Sequence, residues 1–230
     1  MLKDEFLISS LHRNLWIYSL WILLASFLTL YLKDIIWLAL AALSGCAYWV
    51  FLYYKKDNSI TFPHGPANAI TILRLCLLIS VSIMHPGISL FWLGTLYTII
   101  CLGDIIDGRI ARALNMTSII GEYLDKETDA LFVLLSTIVL YMHHIAGVWI
   151  VSLGLIRYIY FLIMFFYMKD DKKESKNPSA RIIAVIVFVS ILSAFFVPVP
   201  FAPYILALAG ILLTFSFGKS VISELRLTNI

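Results

Sequence analysis

Long apolar runs, each closed by a short polar or Pro/Gly-containing break, dominate the chain. They predict helices over about 15–32, 35–54, 67–84, 88–114, 118–143, 147–168, 181–198 and 203–222, with boundaries placed to roughly 2–4 residues. Most runs approach or exceed the roughly 18–20 residues that cross a bilayer as a helix. The pattern therefore predicts an all-α polytopic membrane protein with eight spans. Only Lys33-Asp34 separates the first two runs, which requires a tight hairpin. Residues 58–66 (NSITFPHGP) form a turn-rich linker, Pro86-Gly87 breaks the next pair, residues 169–179 (KDDKKESKNPS) form the longest polar loop, and Pro198, Pro200 and Pro203 mark the last turn. Ahead of the first span, Leu2, Phe6, Leu7 and Leu11 make one helical stripe, so residues 1–14 are expected to lie as an interfacial helix. The following run is too long for the apolar region of a signal peptide and no small-residue cleavage site follows it, so it is expected to stay as an anchor.

Composition agrees: 61% of residues are hydrophobic and 13% charged, more apolar surface than a soluble globular domain can cover. The net charge of +3 says less than its distribution. With eight spans, Lys3, Arg13, Lys55, Lys56, Arg109, Arg112, Lys169, Lys172, Lys173, Lys176, Arg181, Lys219 and Arg226 share one face, Lys33 stands alone on the other, and Arg74, Lys126 and Arg157 fall inside spans. The positive-inside rule makes the basic face cytoplasmic. Both termini are then cytoplasmic, and the chain belongs in the cytoplasmic (inner) membrane. Basic residues do not interleave with aromatics on a polar face, which excludes a nucleic-acid surface. Cys46, Cys76 and Cys101 lie in apolar runs without CxxC spacing and read as packing thiols, not as a disulfide or zinc site.

Residues 104–129, DIIDGRIARALNMTSIIGEYLDKETD, place four aspartates in this apolar setting. A carboxylate within a span costs roughly 2.5–3.5 kcal/mol on insertion scales, so four in two adjacent helices ask for a shared cationic partner. Asp104 and Asp107 lie within about 60° of each other on one helix, with Gly108 and Ala111 along the same stripe, while Gly121, Asp125 and Asp129 stack at i, i+4 and i+8 on the next. Small residues allow close approach and leave room for a ligand. Hard divalent ions, Mg²⁺ or Mn²⁺, carrying a diphosphate match such a cluster, and Arg112 sits at its rim. The topology sets both pairs near the cytoplasmic interface, where one substrate can arrive from water and one from lipid. Intramembrane acids also mark ion pathways, so a divalent-cation transporter is the competing class. Against it, the far halves of the spans are almost purely apolar.

The frame D-x2-D-G-x2-A-R-x8-G-x3-D-x3-D resembles the signature of the CDP-alcohol phosphotransferase family, matched at Asp104, Asp107, Gly108, Ala111, Arg112, Gly121, Asp125 and Asp129. Asn68, Thr71 and Arg74 (NAITILR) are similar to the N-x-x-T-x-x-R opening of the first core helix in many members. The resemblance covers about residues 62–225. It implies a six-helix catalytic core there, with residues 1–57 adding the interfacial helix and a two-helix hairpin. It implies a metal-dependent transfer of a substituted phosphoryl group from a CDP-linked donor to an alcohol, releasing CMP. In bacterial-type members the donor is CDP-diacylglycerol, and the product is a phospholipid. A different CDP-linked donor remains open, as does the alcohol. By resemblance, Asp104, Asp107, Asp125 and Asp129 ligate Mg²⁺ or Mn²⁺, one ion or two, and Asp129 is also the base for the acceptor hydroxyl. A metal-bound carboxylate is a weak base, so Asp129 must leave the metal or act on an already acidified hydroxyl. Gly108, Ala111, Arg112 and Gly121 would border the cytidine nucleotide, Asn68 and Thr71 would touch the donor, and a homodimer is implied.

Between Asp125 and Asp129 many members carry small or apolar residues, whereas this chain has Lys126, Glu127 and Thr128. Lys126, Arg157 and Arg181 are candidate acceptor-binding residues, and together would favour an anionic acceptor. Each has a plainer reading: snorkelling for Lys126 and Arg181, and pairing with a carboxylate for Arg157. Glu122 and Glu127 read as solvated interface acids or partners for Lys126. Lys55, Lys56, Lys172 and Lys173 read as topology determinants, His64 as a loop residue, and His143 and His144 as interfacial residues. The Asn115-Met116-Thr117 sequon lies on the cytoplasmic face and is rejected as a glycosylation site, Thr117 or Ser118 serving better as a helix cap.

Overall fold

The structure is a computed structural model that describes the backbone of residues 2–56, 65–113, 119–167 and 178–228 and the side chains of residues 16–48, 69–103, 123–163 and 181–222. Among the described residues eight α-helices follow one another: α1 (Leu2–Leu32), α2 (Ile36–Lys56), α3 (Gly65–Ile83), α4 (Leu90–Ala113), α5 (Ile119–Met142), α6 (Val151–Tyr167), α7 (Pro178–Ala194) and α8 (Ala202–Thr228). Single 3₁₀ turns at His85–Gly87 and Val148–Ile150 precede α4 and α6, and no strand occurs among the described residues. Each predicted helix has its counterpart.

Of the boundaries that differ from the sequence reading, three have a cause in the chain. The interfacial helix expected over residues 1–14 is not a separate element, because α1 runs unbroken for 31 residues. No proline or glycine occurs within it to interrupt the ladder. Helix α7 stops at Ala194 instead of 198. Phe195 and Phe196 donate to the carbonyls three residues back, at 3.2 and 3.0 Å, tightening the chain ahead of Pro198. Helix α8, with no breaker, continues past 222 to Thr228.

The turn between α1 and α2 explains how two residues can reverse the chain. Lys33 takes a left-handed conformation (φ 54°). The Asp34 carboxylate accepts from the Ile36 N–H at 3.0 Å, and the buried Thr29 hydroxyl accepts from the Leu38 N–H at 3.1 Å. The side chains thus supply partners for donors that a helix start leaves unmet.

Helix α5 is the hub. From Ala130 to Leu140 it is buried all round, as expected of a helix apolar on every face, and it packs on α3, α6 and α7. Helix α6 meets it closely at Gly154, where a Cβ would collide with the Leu134 backbone. Helices α3 and α4 pair, α7 and α8 pair, and α6 also touches α8. The amino-terminal hairpin docks mainly through α1, which lies along α6, while α2 only grazes α3. Tyr97 anchors the centre, its hydroxyl 2.8 Å from that of Ser82 and its ring edge-on to Phe132.

The perimeter is apolar too. Trp21, Phe27, Trp92, Val189, Ile211 and Phe215 all stand exposed, the reverse of a water-facing surface. Among the described residues one stretch, Ala202–Ile222, is long and apolar enough by itself to cross a membrane (mean hydropathy 2.0), and shorter apolar segments of 10–17 residues lie in α1 to α4, in α6 with its preceding turn, and in α7.

Candidate active site

Helix geometry puts Asp125 and Asp129 one turn apart on one face of α5, near its amino-terminal end. That face looks towards α3. Arg74 rises from the middle of α3, its stem running past Gly103 of α4, where a Cβ would stand 3.4 Å from Arg74 Cδ. Its Nε donates to the Ile100 carbonyl at 3.3 Å, Nη1 to Asp125 Oδ1 at 3.3 Å and Nη2 to Asp129 Oδ1 at 3.4 Å. One buried guanidinium therefore ties α3, α4 and both aspartates of α5 together. Arginine suits this place because its planar fork presents two parallel donors and stays charged. The two carboxylates remain partly open, with side-chain exposures of 43% and 34%.

Asp104, Asp107, Gly108, Ala111 and Arg112 lie on the backbone of α4, Gly121 on α5 and Asn68 on α3. Beyond the backbone these seven positions lie outside the described residues, as does the side chain of Glu122. Thr71 is buried one turn before Arg74 on the same face of α3. Lys126 is exposed, its ammonium 5.9 Å from the centre of the Tyr123 ring, and Arg181 is exposed near the start of α7.

Arg157 takes the carboxylate-pairing position. Its Nη2 lies 3.7 Å from Glu127 Oε2, its Nη1 donates to the Lys126 carbonyl at 2.6 Å, and its guanidinium stands 5.5 Å from the Phe161 ring centre. Glu127 differs from the sequence reading. It is neither a solvated interface acid nor a partner for Lys126, but a buried carboxylate. It accepts from the Tyr158 hydroxyl at 2.7 Å, and the buried Tyr18 of α1 lies near enough to couple to it electrostatically. The available signal was its register: two residues from each aspartate, it must point to the other side of α5, into the core.

A second contact unforeseen in the sequence joins His85 to His143, with Nδ1 and Nε2 3.3 Å apart and the rings edge-on. Burial lowers the pKa of His85 below its ordinary 6.5, His143 lowers it further, and Asp34 opposes the change.

The two described aspartates are hard oxygen donors converging on one cationic position, which fits a divalent ion of the Mg²⁺ type. Among the described residues no three His, Cys, Asp or Glu side chains gather closely enough to hold an ion. Among the described residues the architecture is thus an all-helical bundle in which two acids on one face of α5 meet an arginine of α3. Residues 65–216 match the family CDP-alcohol phosphatidyltransferase, and the chain belongs to that family. Membership makes the chain a transferase of the membrane-embedded, generally divalent-metal-dependent type that moves a phosphoryl group from a CDP-alcohol to an alcohol acceptor. No curated protein matches the chain.

Proposed function

We propose that this protein transfers a phosphatidyl group from CDP-diacylglycerol to an alcohol, releasing CMP, as a step of phospholipid synthesis. The observation that carries the reading is the arrangement of Asp125 and Asp129, both directed to the guanidinium of Arg74 in a chain whose outer surface is apolar. Eight spans, with both termini on the cytoplasmic face, would set this pair roughly 9–15 Å along α5 from its cytoplasmic start, at about 1.5 Å per residue. Residues 62–225 would form the six-helix catalytic core and residues 1–57 an added interfacial segment and hairpin. The chain would act as a homodimer in the inner membrane.

Asp125 and Asp129, with Asp104 and Asp107, would hold Mg²⁺ or Mn²⁺, one ion or two. When bound, the metal neutralises charge that builds on the diphosphate as its bond breaks. Gly108, Ala111, Arg112 and Gly121 border the nucleotide, and Asn68 and Thr71 border the donor phosphates. Asp129 accepts the proton of the attacking hydroxyl, the new bond forms between the alcohol oxygen and the phosphatidyl phosphorus, and the bond to CMP breaks. Arg74 would offset the negative charge of the two carboxylates it joins. Lys126 and Arg181, both exposed, would meet an anionic acceptor.

The test is incubation of purified protein with radiolabelled CDP-diacylglycerol, Mg²⁺ or Mn²⁺, and a panel of neutral polyols, amino alcohols, glycerol phosphate and sugar phosphates. A labelled lipid product with one acceptor, formed together with CMP, supports the reading. Transfer from a CDP-linked donor without diacylglycerol, and none from CDP-diacylglycerol, overturns the lipid assignment.

A further inference from the structure

The turn of α5 that carries Asp125 and Asp129 is held from behind. Glu127 stands two residues from each, so it leaves the helix about 200° away from both. On that far side Arg157 grips the same turn twice, through the Glu127 carboxylate at 3.7 Å and through the Lys126 carbonyl at 2.6 Å. Tyr158 adds a third attachment, donating to Glu127 at 2.7 Å. The fourth comes from outside the family match, which begins at residue 65. Tyr18 of α1 interacts with Glu127, and its ring lies 6.4 Å from that of Tyr158. Tyr18 is itself fixed, because its ring fills the place where a Cβ on Gly45 of α2 would sit. Glycine there lets the two helices of the hairpin close around the tyrosine.

Folding alone does not account for such a cluster. A buried ion pair is often no more stabilising than well-packed apolar side chains of the same volume. What the pair supplies and apolar packing does not is direction: a forked donor fixes both the rotation of α5 about its axis and its height along α6. A rotation or slide of that turn would carry Asp125 and Asp129 away from their common focus, and carboxylates that share an ion tolerate little misplacement.

We propose that Glu127 and Arg157 are positioning residues, which with Tyr158 and the hairpin's Tyr18 lock the α5 turn so that Asp125 and Asp129 present their carboxylates to a divalent cation. This rests on the proposed reading of the site, and it makes the amino-terminal hairpin a working part of the catalytic unit.

The experiment uses the full chain in lipid nanodiscs and reads Mn²⁺ affinity without substrates, by the loss of the free-ion electron paramagnetic resonance signal. Glu127→Gln and Arg157→Met should each weaken Mn²⁺ binding by about tenfold or more, the range typical of residues that orient metal ligands. Arg157→Lys should recover part of the loss, and Tyr18→Phe should show a smaller loss than either. A single replacement can fail to fold, so the double variant Glu127→Met with Arg157→Met, which buries no charge, is the deciding one. It should stay folded yet bind Mn²⁺ weakly, and if active it should lose kcat at saturating donor and metal. Wild-type Mn²⁺ affinity in the double variant overturns the positioning role, and wild-type affinity in Tyr18→Phe overturns the hairpin's share in it. These outcomes are separate from those of the transfer assay, because Mn²⁺ binding is read whether or not the wild-type protein releases CMP.

Discussion

Replacing Arg74 by methionine isolates the electrostatics of the site. Methionine keeps much of the stem's volume and removes the donors to the Ile100 carbonyl at 3.3 Å, to Asp125 at 3.3 Å and to Asp129 at 3.4 Å. Stripping one partner from a fully buried ion pair costs about 3–5 kcal/mol, because the remaining charge stays buried. Here the arginine side chain is only 5% exposed, but the carboxylates keep 43% and 34% of their exposure and retain part of their hydration. Solvent screening therefore lowers the loss, to roughly 2–3 kcal/mol with the carbonyl bond included. For a chain of this size each kcal/mol moves the melting temperature by about 2–4 °C, so metal-free Arg74→Met should melt roughly 5–10 °C below wild type. A divalent cation supplies the missing positive charge. Since a ligand stabilises by RT ln(1 + [L]/Kd), added Mn²⁺ should raise the variant's melting temperature more than the wild type's and narrow the gap. Thermal unfolding in detergent, read by intrinsic tryptophan fluorescence with and without Mn²⁺, measures both. An equal rise in the two proteins, or no deficit in the metal-free variant, would refute the reasoning. Arg74→Lys, with one charge and no fork, should fall between them.

Gly154→Ala places a methyl group against the Leu134 backbone and should destabilise by about 1–3 kcal/mol through forced separation of α5 and α6, seen as a lower melting temperature. Tyr97→Phe leaves the buried Ser82 hydroxyl without its 2.8 Å cross-helix partner, although Ser82 still donates to the Leu78 carbonyl; it should cost about 1 kcal/mol by the same assay. His85 carries a pKa lowered from 6.5 in the folded protein. The unfolded chain therefore binds that proton more readily, the associated stability is present above pH 6.5 and falls as the pH drops through and below it, and His85→Gln should flatten this slope in melting temperature against pH.

The helical skeleton was legible because apolar runs and Pro/Gly breaks act locally. Pro86-Gly87 ended α3 where expected, and Lys33-Asp34 did make the tight turn, with Lys33 in the left-handed region. The break expected between an interfacial helix over residues 1–14 and the first span was a misreading, since a change from polar to apolar composition marks a change of solvent and not a break in hydrogen bonding, and α1 runs through both. The face shared by Asp125 and Asp129 followed from spacing alone. Their partner did not: Arg74 lies 51 and 55 residues away, and pairing across helices depends on packing that no local pattern records. The same holds for Glu127 and Arg157, separated by only one intervening turn between helices but joined through the close α5–α6 approach at Gly154. Register showed that Glu127 points away from the aspartates; only the fold shows that Arg157 and the hairpin's Tyr18 are waiting there. His85 and His143 meet because two loops end at the same height in the bundle, which depends on helix lengths and tilts together.

The account stands on the paired carboxylates of α5 serving a metal-dependent transfer. Its most direct test is CMP release from CDP-diacylglycerol by the purified chain, across the acceptor panel, with Mn²⁺ present or chelated, in wild type and in Asp129→Asn. We expect release with Mn²⁺ that stops on chelation and falls by at least about 10²-fold in the variant, as for loss of a general base. Release that persists undiminished in Asp129→Asn or after chelation, or none from wild type with any acceptor, would contradict it.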